Sequence, residues 1–132
     1  MSLNRRRILV AEDDPGIGEL IRARLTAAGY DTHTAHDGGE AVGRIHSLRP
    51  NGVILDINMP VMDGFAVLAR LKSEARLRDI PVMVLTARHA PDDVKRAVSL
   101  GAKDFLTKPF SDGQLLARVA RLLRAPLVTL AE

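Results

Sequence analysis

The sequence predicts an α/β fold, a doubly wound five-stranded parallel sheet with helices on both faces. Short apolar runs alternate repeatedly with segments whose apolar residues recur at helical spacing. The runs Ile8-Leu9-Val10-Ala11, Val53-Ile54-Leu55 and Val82-Met83-Val84-Leu85 are apolar throughout, as strands covered on both faces must be. Each strand but the second also stops at a polar side chain, and in a parallel sheet those ends share one edge.

The first strand ends in Glu12-Asp13-Asp14, and Pro15 at a first-turn position opens helix one. Ile17, Leu20, Ile21, Leu25 and Ala28 are expected on its inner face, with Gly29 placed to cap it. Strand two, Tyr30 to Ala35, alternates rather than running apolar. Helix two follows from about Gly39 to Leu48 on a stripe of Ala41, Val42, Ile45 and Leu48. Strand three ends in Asp56; a loop with Pro60 and Gly64 leads to helix three through Phe65, Leu68, Leu71 and Ala75. Strand four ends in Thr86, and helix four turns Val94, Ala97 and Val98 inward before Gly101 ends it. Strand five, Phe105-Leu106-Thr107, ends in Lys108 and passes through Pro109 to helix five, which buries Leu115, Val119, Leu122 and Leu123. Strands two and five carry polar residues and read as edges, which gives the order 2-1-3-4-5 of a flavodoxin-like (βα)5 fold.

At 132 residues the chain reads as one domain, 1–132, with a core of about 5–124 and a short tail or truncated linker over 125–132. No apolar run reaches the ~18 residues of a membrane span, so no membrane association is expected. Arg5-Arg6-Arg7 leads only into a short strand, which is no export signal. The absence of cysteine rules out disulfides and thiolate chemistry and fits a cytoplasmic setting. The net charge of +3 raises the question of nucleic acid. Its basic residues are dispersed, however, with Arg22 and Arg24 on one helix and Arg118, Arg121 and Arg124 on another. Three Phe, one Tyr and no Trp leave little for base stacking, so no direct nucleic-acid contact is expected.

Topology therefore gathers Glu12, Asp13, Asp56, Thr86 and Lys108 in one place despite their separation in sequence. Singly, each has a bland explanation. Asp13 or Asp14 can cap helix one, Asp56 can fix a turn, Thr86 can cap helix four, and Lys108 can be a surface turn. Gathered on one sheet edge, they are better read as a site. Clustered carboxylates with few other ligands suit Mg²⁺, an oxygen-seeking ion that often binds beside phosphate. A lysine offers a compact positive charge to a phosphoryl oxygen, and one carboxylate left free can accept a phosphoryl group. His33, His36, His46 and His89 show no metal-ligand spacing and read as structural.

From Ile8 to Arg124 the chain resembles the response-regulator receiver domains (CheY-like) of two-component signalling. The resemblance is carried by Ile8-Leu9-Val10-Ala11-Glu12-Asp13-Asp14, by Asp56-Ile57-Asn58-Met59-Pro60-Val61-Met62-Asp63-Gly64 and by Leu85-Thr86-Ala87. A fourth stretch runs from Gly101 to Phe110. It implies that Asp56 is the phosphoacceptor, and that Glu12, Asp13, Asp56 and the backbone carbonyl of Asn58 hold Mg²⁺, for which Mn²⁺ can substitute. Thr86 and Lys108 would stabilise the phosphoryl group, with Phe105 as the switch aromatic where relatives often carry tyrosine. The Lys108–Pro109 bond would be cis. Asn58 and Arg88 would tune the phosphate's lifetime.

The implied partners are a sensor histidine kinase or histidine phosphotransfer protein, and an output domain or target protein met through helix four, strand five and helix five. No separate substrate would be turned over, since the acceptor is the domain's own side chain. Homodimerisation on phosphorylation would use that same face. Asp104 and Arg118 match a charge pair known there, whereas Gln114 and Ala125 do not supply the second. Two other classes compete. A flavodoxin-type cofactor carrier wants a phosphate-cradling loop where this chain has three acids. An aspartyl-nucleophile phosphatase wants a second aspartate where it has Asn58.

Overall fold

A computed structural model describes residues 5–87 and 90–128, with side chains through residue 124. Among these, strands and helices alternate strictly: β1 (Arg7–Ala11), α1 (Pro15–Ala27), β2 (Asp31–Ala35), α2 (Gly38–Leu48), β3 (Gly52–Asp56), α3 (Gly64–Lys72), β4 (Val82–Ala87), α4 (Pro91–Ser99), β5 (Asp104–Lys108) and α5 (Asp112–Val128). The strands form one parallel sheet in the order β2-β1-β3-β4-β5. The predicted α/β fold and strand order are those observed, with the two polar strands at the edges.

Period-two alternation divides each central strand between two cores. Leu9, Val53, Leu55, Val82 and Val84 face the layer of α2, α3 and α4. Ile8, Val10, Ile54, Met83 and Leu85 face α1 and α5, where Leu115, Val119, Leu122 and Leu123 are buried as expected. Burying each large aliphatic contributes about 1.5–3 kcal/mol relative to exposure, which anchors the strands whose ends build the site.

Helix starts follow local chemistry. Asp14 Oδ1 accepts from the N–H groups of Gly16 (2.8 Å) and Ile17 (3.2 Å), so Asp14, not Asp13, caps α1. Asp37 and Asp63 cap α2 and α3 in the same way. By contrast, α4 is preceded by Ala90 and has no side-chain cap, so Thr86 does not serve there.

Several helix faces differ from the sequence reading. Leu20 is 44% exposed and Ala28 is exposed, because the buried line of α1 runs through Gly18, Ile21 and Leu25 and the helix ends before Ala28. Helix three stops at Lys72, where the Ser73 hydroxyl donates to the Arg70 carbonyl (2.7 Å) and its N–H turns back on the last turn. Ala75 is thus outside the helix and exposed, and Leu77 fills the core instead. On α4 only Ala97 is fully buried; Val94 is half-buried and Val98 is 53% exposed. α5 continues to Val128, into the stretch read as a tail.

Every β→α connection lies at the carboxyl edge of the sheet, and every α→β turn at the opposite edge. Among the described residues no helix is long and apolar enough to cross a membrane.

Candidate functional site

At the carboxyl edge the ladder continues one residue past each of the two acidic strands. Glu12 N–H donates to Ala35 C=O (3.0 Å) and Ile57 N–H to Leu85 C=O (3.2 Å), so the backbone around Glu12 and Asp56 is fixed by the sheet itself. Glu12 and Asp56 are buried, while Asp13 is exposed. One carboxylate oxygen from each of Glu12, Asp13 and Asp56 falls within a group spanning no more than 4.8 Å.

Lys108 reaches into this group from β5. Its Nζ stands 2.9 Å from Glu12 Oε1 and 3.4 Å from Asp56 Oδ2. The approach to Glu12 is a charge contact off the hydrogen-bond direction, so buried Oε1 has an ionic neighbour but no hydrogen-bond donor. Glu12 Oε2 accepts from Asp14 N–H (3.2 Å), and Asp56 Oδ1 from Asn58 N–H (3.1 Å). Glu12 Oε1 is thus left without a donor beside the other carboxylates, an arrangement that suits a hard divalent cation.

Electrostatics agrees. Burial pushes the Glu12 carboxyl up to about 7, and the adjacent Asp56 carboxyl adds to the rise, against the pull of Lys108 and the Asp14 N–H. Burial alone would lower the Lys108 ammonium, but Glu12 and Asp56 hold it above the ordinary lysine value. One ammonium faces two buried acids and an exposed third, an imbalance that a bound cation relieves.

Thr86 is buried at the end of β4, and its hydroxyl donates to its neighbour's carbonyl, Ala87 C=O (3.3 Å). Phe105 packs with the α2–α3–α4 core rather than on the acids. Arg118 covers it, with its guanidinium 5.7 Å from the ring centroid and donating to the Phe105 carbonyl. The Lys108–Pro109 bond is cis. Arg88 and His89 lie outside the described residues, as does the side chain of Ala125. His33 is paired with Asp31 (3.1 Å) and His46 with Glu74 (3.2 Å), away from the acids.

The sequence reading missed three features. Asp14 serves Glu12 through its N–H. Asp104 is held by Arg121 (2.6 Å) as well as by Arg118 (3.2 Å). Gly64 allows a close passage of chain: a Cβ there would lie 2.5 Å from the Asp56 carbonyl oxygen and 2.7 Å from Ile57 Cα. The Gly64 N–H donates to Ile57 C=O (2.8 Å), so the loop after Asp56 closes tightly on itself. The glycine was visible in the sequence; the contact that requires it was not.

The family described as the response regulator receiver domain matches residues 8–120. RpaA of a Synechocystis strain, a DNA-binding dual master transcriptional regulator, is 43% identical over 118 residues, 89% of this chain and 49% of that protein. The signal receiver domain of a signal transduction histidine kinase from Syntrophus aciditrophicus superposes with a TM-score of 0.84 at 42% identity, covering 91% of each chain. The chemotaxis response regulator CheY4 of Vibrio cholerae gives 0.86 at 31% identity, covering 91% of this chain and 100% of that one. The chain spans about half the length of the curated relatives it matches.

Proposed function

The chain belongs to the response regulator receiver family, and on that premise we propose that Asp56 accepts a phosphoryl group from a phosphohistidine of a sensor kinase or phosphotransfer protein. The observation that carries this reading is the convergence of Glu12, Asp13 and Asp56 within 4.8 Å, with Lys108 Nζ 3.4 Å from Asp56 Oδ2. In the transfer an Asp56 carboxylate oxygen forms a bond to phosphorus, the phosphorus–nitrogen bond breaks, and the imidazole departs with its electron pair.

Glu12, Asp13, Asp56 and the Asn58 carbonyl would hold Mg²⁺, or Mn²⁺ in its place. The ion supplies charge compensation to the phosphoryl oxygens. The chain's own residues do the rest. Asn58 N–H holds Asp56 Oδ1, which orients the carboxylate. Lys108, already at the acids, meets a phosphoryl oxygen with its ammonium. Thr86 gives up its bond to Ala87 C=O to reach the same group, and Phe105 follows, so α4, β5 and α5 change their presentation to an output domain or target protein. Asn58 and Arg88, two positions after Asp56 and Thr86 in the sequence, would set the phosphate's lifetime. No other substrate is turned over.

Residues 1–132 act as one receiver domain in the cytoplasm, with its core over about 5–124. Dimerisation on phosphorylation through Asp104 requires an exchange of partners, because Asp104 is already paired within the chain to Arg118 and Arg121. Incubation with a small-molecule phosphodonor and Mg²⁺ should add one hydroxylamine-sensitive phosphate to the wild-type protein and none to Asp56→Asn. Equal labelling of that variant would remove Asp56 from the role.

A further inference from the structure

α4 is the least anchored helix of the fold. It has no side-chain cap, buries only Ala97 fully and leaves Val98 half in solvent. A hollow of about 500 Å³ opens between it and α3, lined by Asp63, Phe65, Ala66, Ala69 and Ser99 among others. Across that hollow the exposed Arg96 of α4 lays its guanidinium over the Phe65 ring, 4.1 Å from the centroid. Phe65 is 6% exposed and directly follows Gly64, the residue whose backbone is closed against Asp56 and Ile57.

We propose that Arg96 is a positioning residue: its stack on Phe65 clamps α4 to the first turn of α3, directly after the loop that follows Asp56, and holds the helix in its unphosphorylated setting. A strain introduced at Asp56 travels one short segment, Ile57 to Gly64, before reaching the ring that Arg96 covers. Gly64 leaves no slack there, because its neighbours are backbone atoms that cannot rotate aside. The path runs on the α3 side of α4, separate from the Thr86 and Phe105 side. The coupling rests on the phosphoacceptor reading; the clamp itself does not.

An exposed cation–π contact shifts an equilibrium by about two- to fivefold. Arg96→Gln removes the cation from an exposed position, so the fold should survive. In the absence of any phosphoryl mimic, amide hydrogen exchange of residues 91–99 should quicken about two- to fivefold, while α1 and α2 are unchanged. Titration with Mg²⁺ and beryllofluoride, followed by NMR, should show tighter binding by a similar factor, since a ligand that favours the released helix no longer works against the clamp. Arg96→Lys, which keeps a cation over the ring, should restore part of both effects. Unchanged α4 exchange in Arg96→Gln would overturn the clamp. Quickened exchange with wild-type affinity would overturn the coupling alone. A wild-type protein that ignores beryllofluoride would overturn the phosphoacceptor reading and the coupling with it, leaving the exchange result to judge the clamp.

Discussion

At Glu12 a carboxyl poised near 7 sits among charges that answer to pH. Its ordinary value is 4.5, raised in the fold to about 7. Between those values the folded protein holds a proton that the unfolded chain releases. This group's contribution to stability is therefore present below pH 4.5 and lost as pH rises through about 7. Urea midpoints of the metal-free protein should fall between pH 5 and pH 7.5, less steeply in Glu12→Gln; equal slopes would remove Glu12 as the cause. Lys108→Met leaves two buried acids facing each other and should cost about 1–3 kcal/mol at pH 7.5, with a smaller deficit at pH 5.5, where Glu12 is protonated. Which acids gather at the carboxyl edge was legible from strand ends alone. The division of labour within Glu12-Asp13-Asp14 was not, because neighbouring acids carry the same charge and only backbone direction separates Asp14, which caps α1, from Glu12 and Asp13, whose carboxylates approach Asp56. The Phe65–Arg96 stack was equally hidden, since it joins two helices far apart in the chain.

Among the elements, the loop between β3 and α3 is the most constrained. Val61, 85% exposed, has a φ of 71°, a left-handed conformation that a β-branched residue adopts only at a cost. Val61→Gly should raise stability by about 1 kcal/mol, read as a higher urea midpoint with an unchanged slope; a lower midpoint would show that the valine is held by contacts worth more than the strain. Strand identity was readable throughout, because runs such as Val82 to Leu85 have no other use in a chain of this length. Helix faces were read less well. Leu20 and Val98 fit an apolar stripe by spacing, but spacing states only which residues share a side, not how far the neighbouring layer reaches. Leu20 instead borders an apolar hollow with Ile17, Pro109 and Phe110. The end of α3 was lost to one hydroxyl, that of Ser73, whose bond to Arg70 is a matter of rotamer rather than pattern.

For the molecule as a whole, two cores share one sheet, and the acids sit where both layers meet solvent. Anything bound there alone to the folded state adds stability by mass action. Mg²⁺ with beryllofluoride at a hundred times the dissociation constant should contribute about 2.7 kcal/mol, a rise of roughly 10 °C in the thermal midpoint. Asp56→Asn should lose that rise, and a full rise in the variant would place the ligand elsewhere. The topology was legible because the polar strands two and five read as edges, and the flavodoxin-like order 2-1-3-4-5 is a doubly wound arrangement that puts them there. The separation of the sheet's two rims also governs how such a chain can diverge. Insertions and deletions at the α→β turns, such as the exposed turn at Ala28 and Gly29, lie on the rim away from the acids and leave their spacing untouched. A single residue gained or lost on the opposite rim would put an acid out of phase with its fellows.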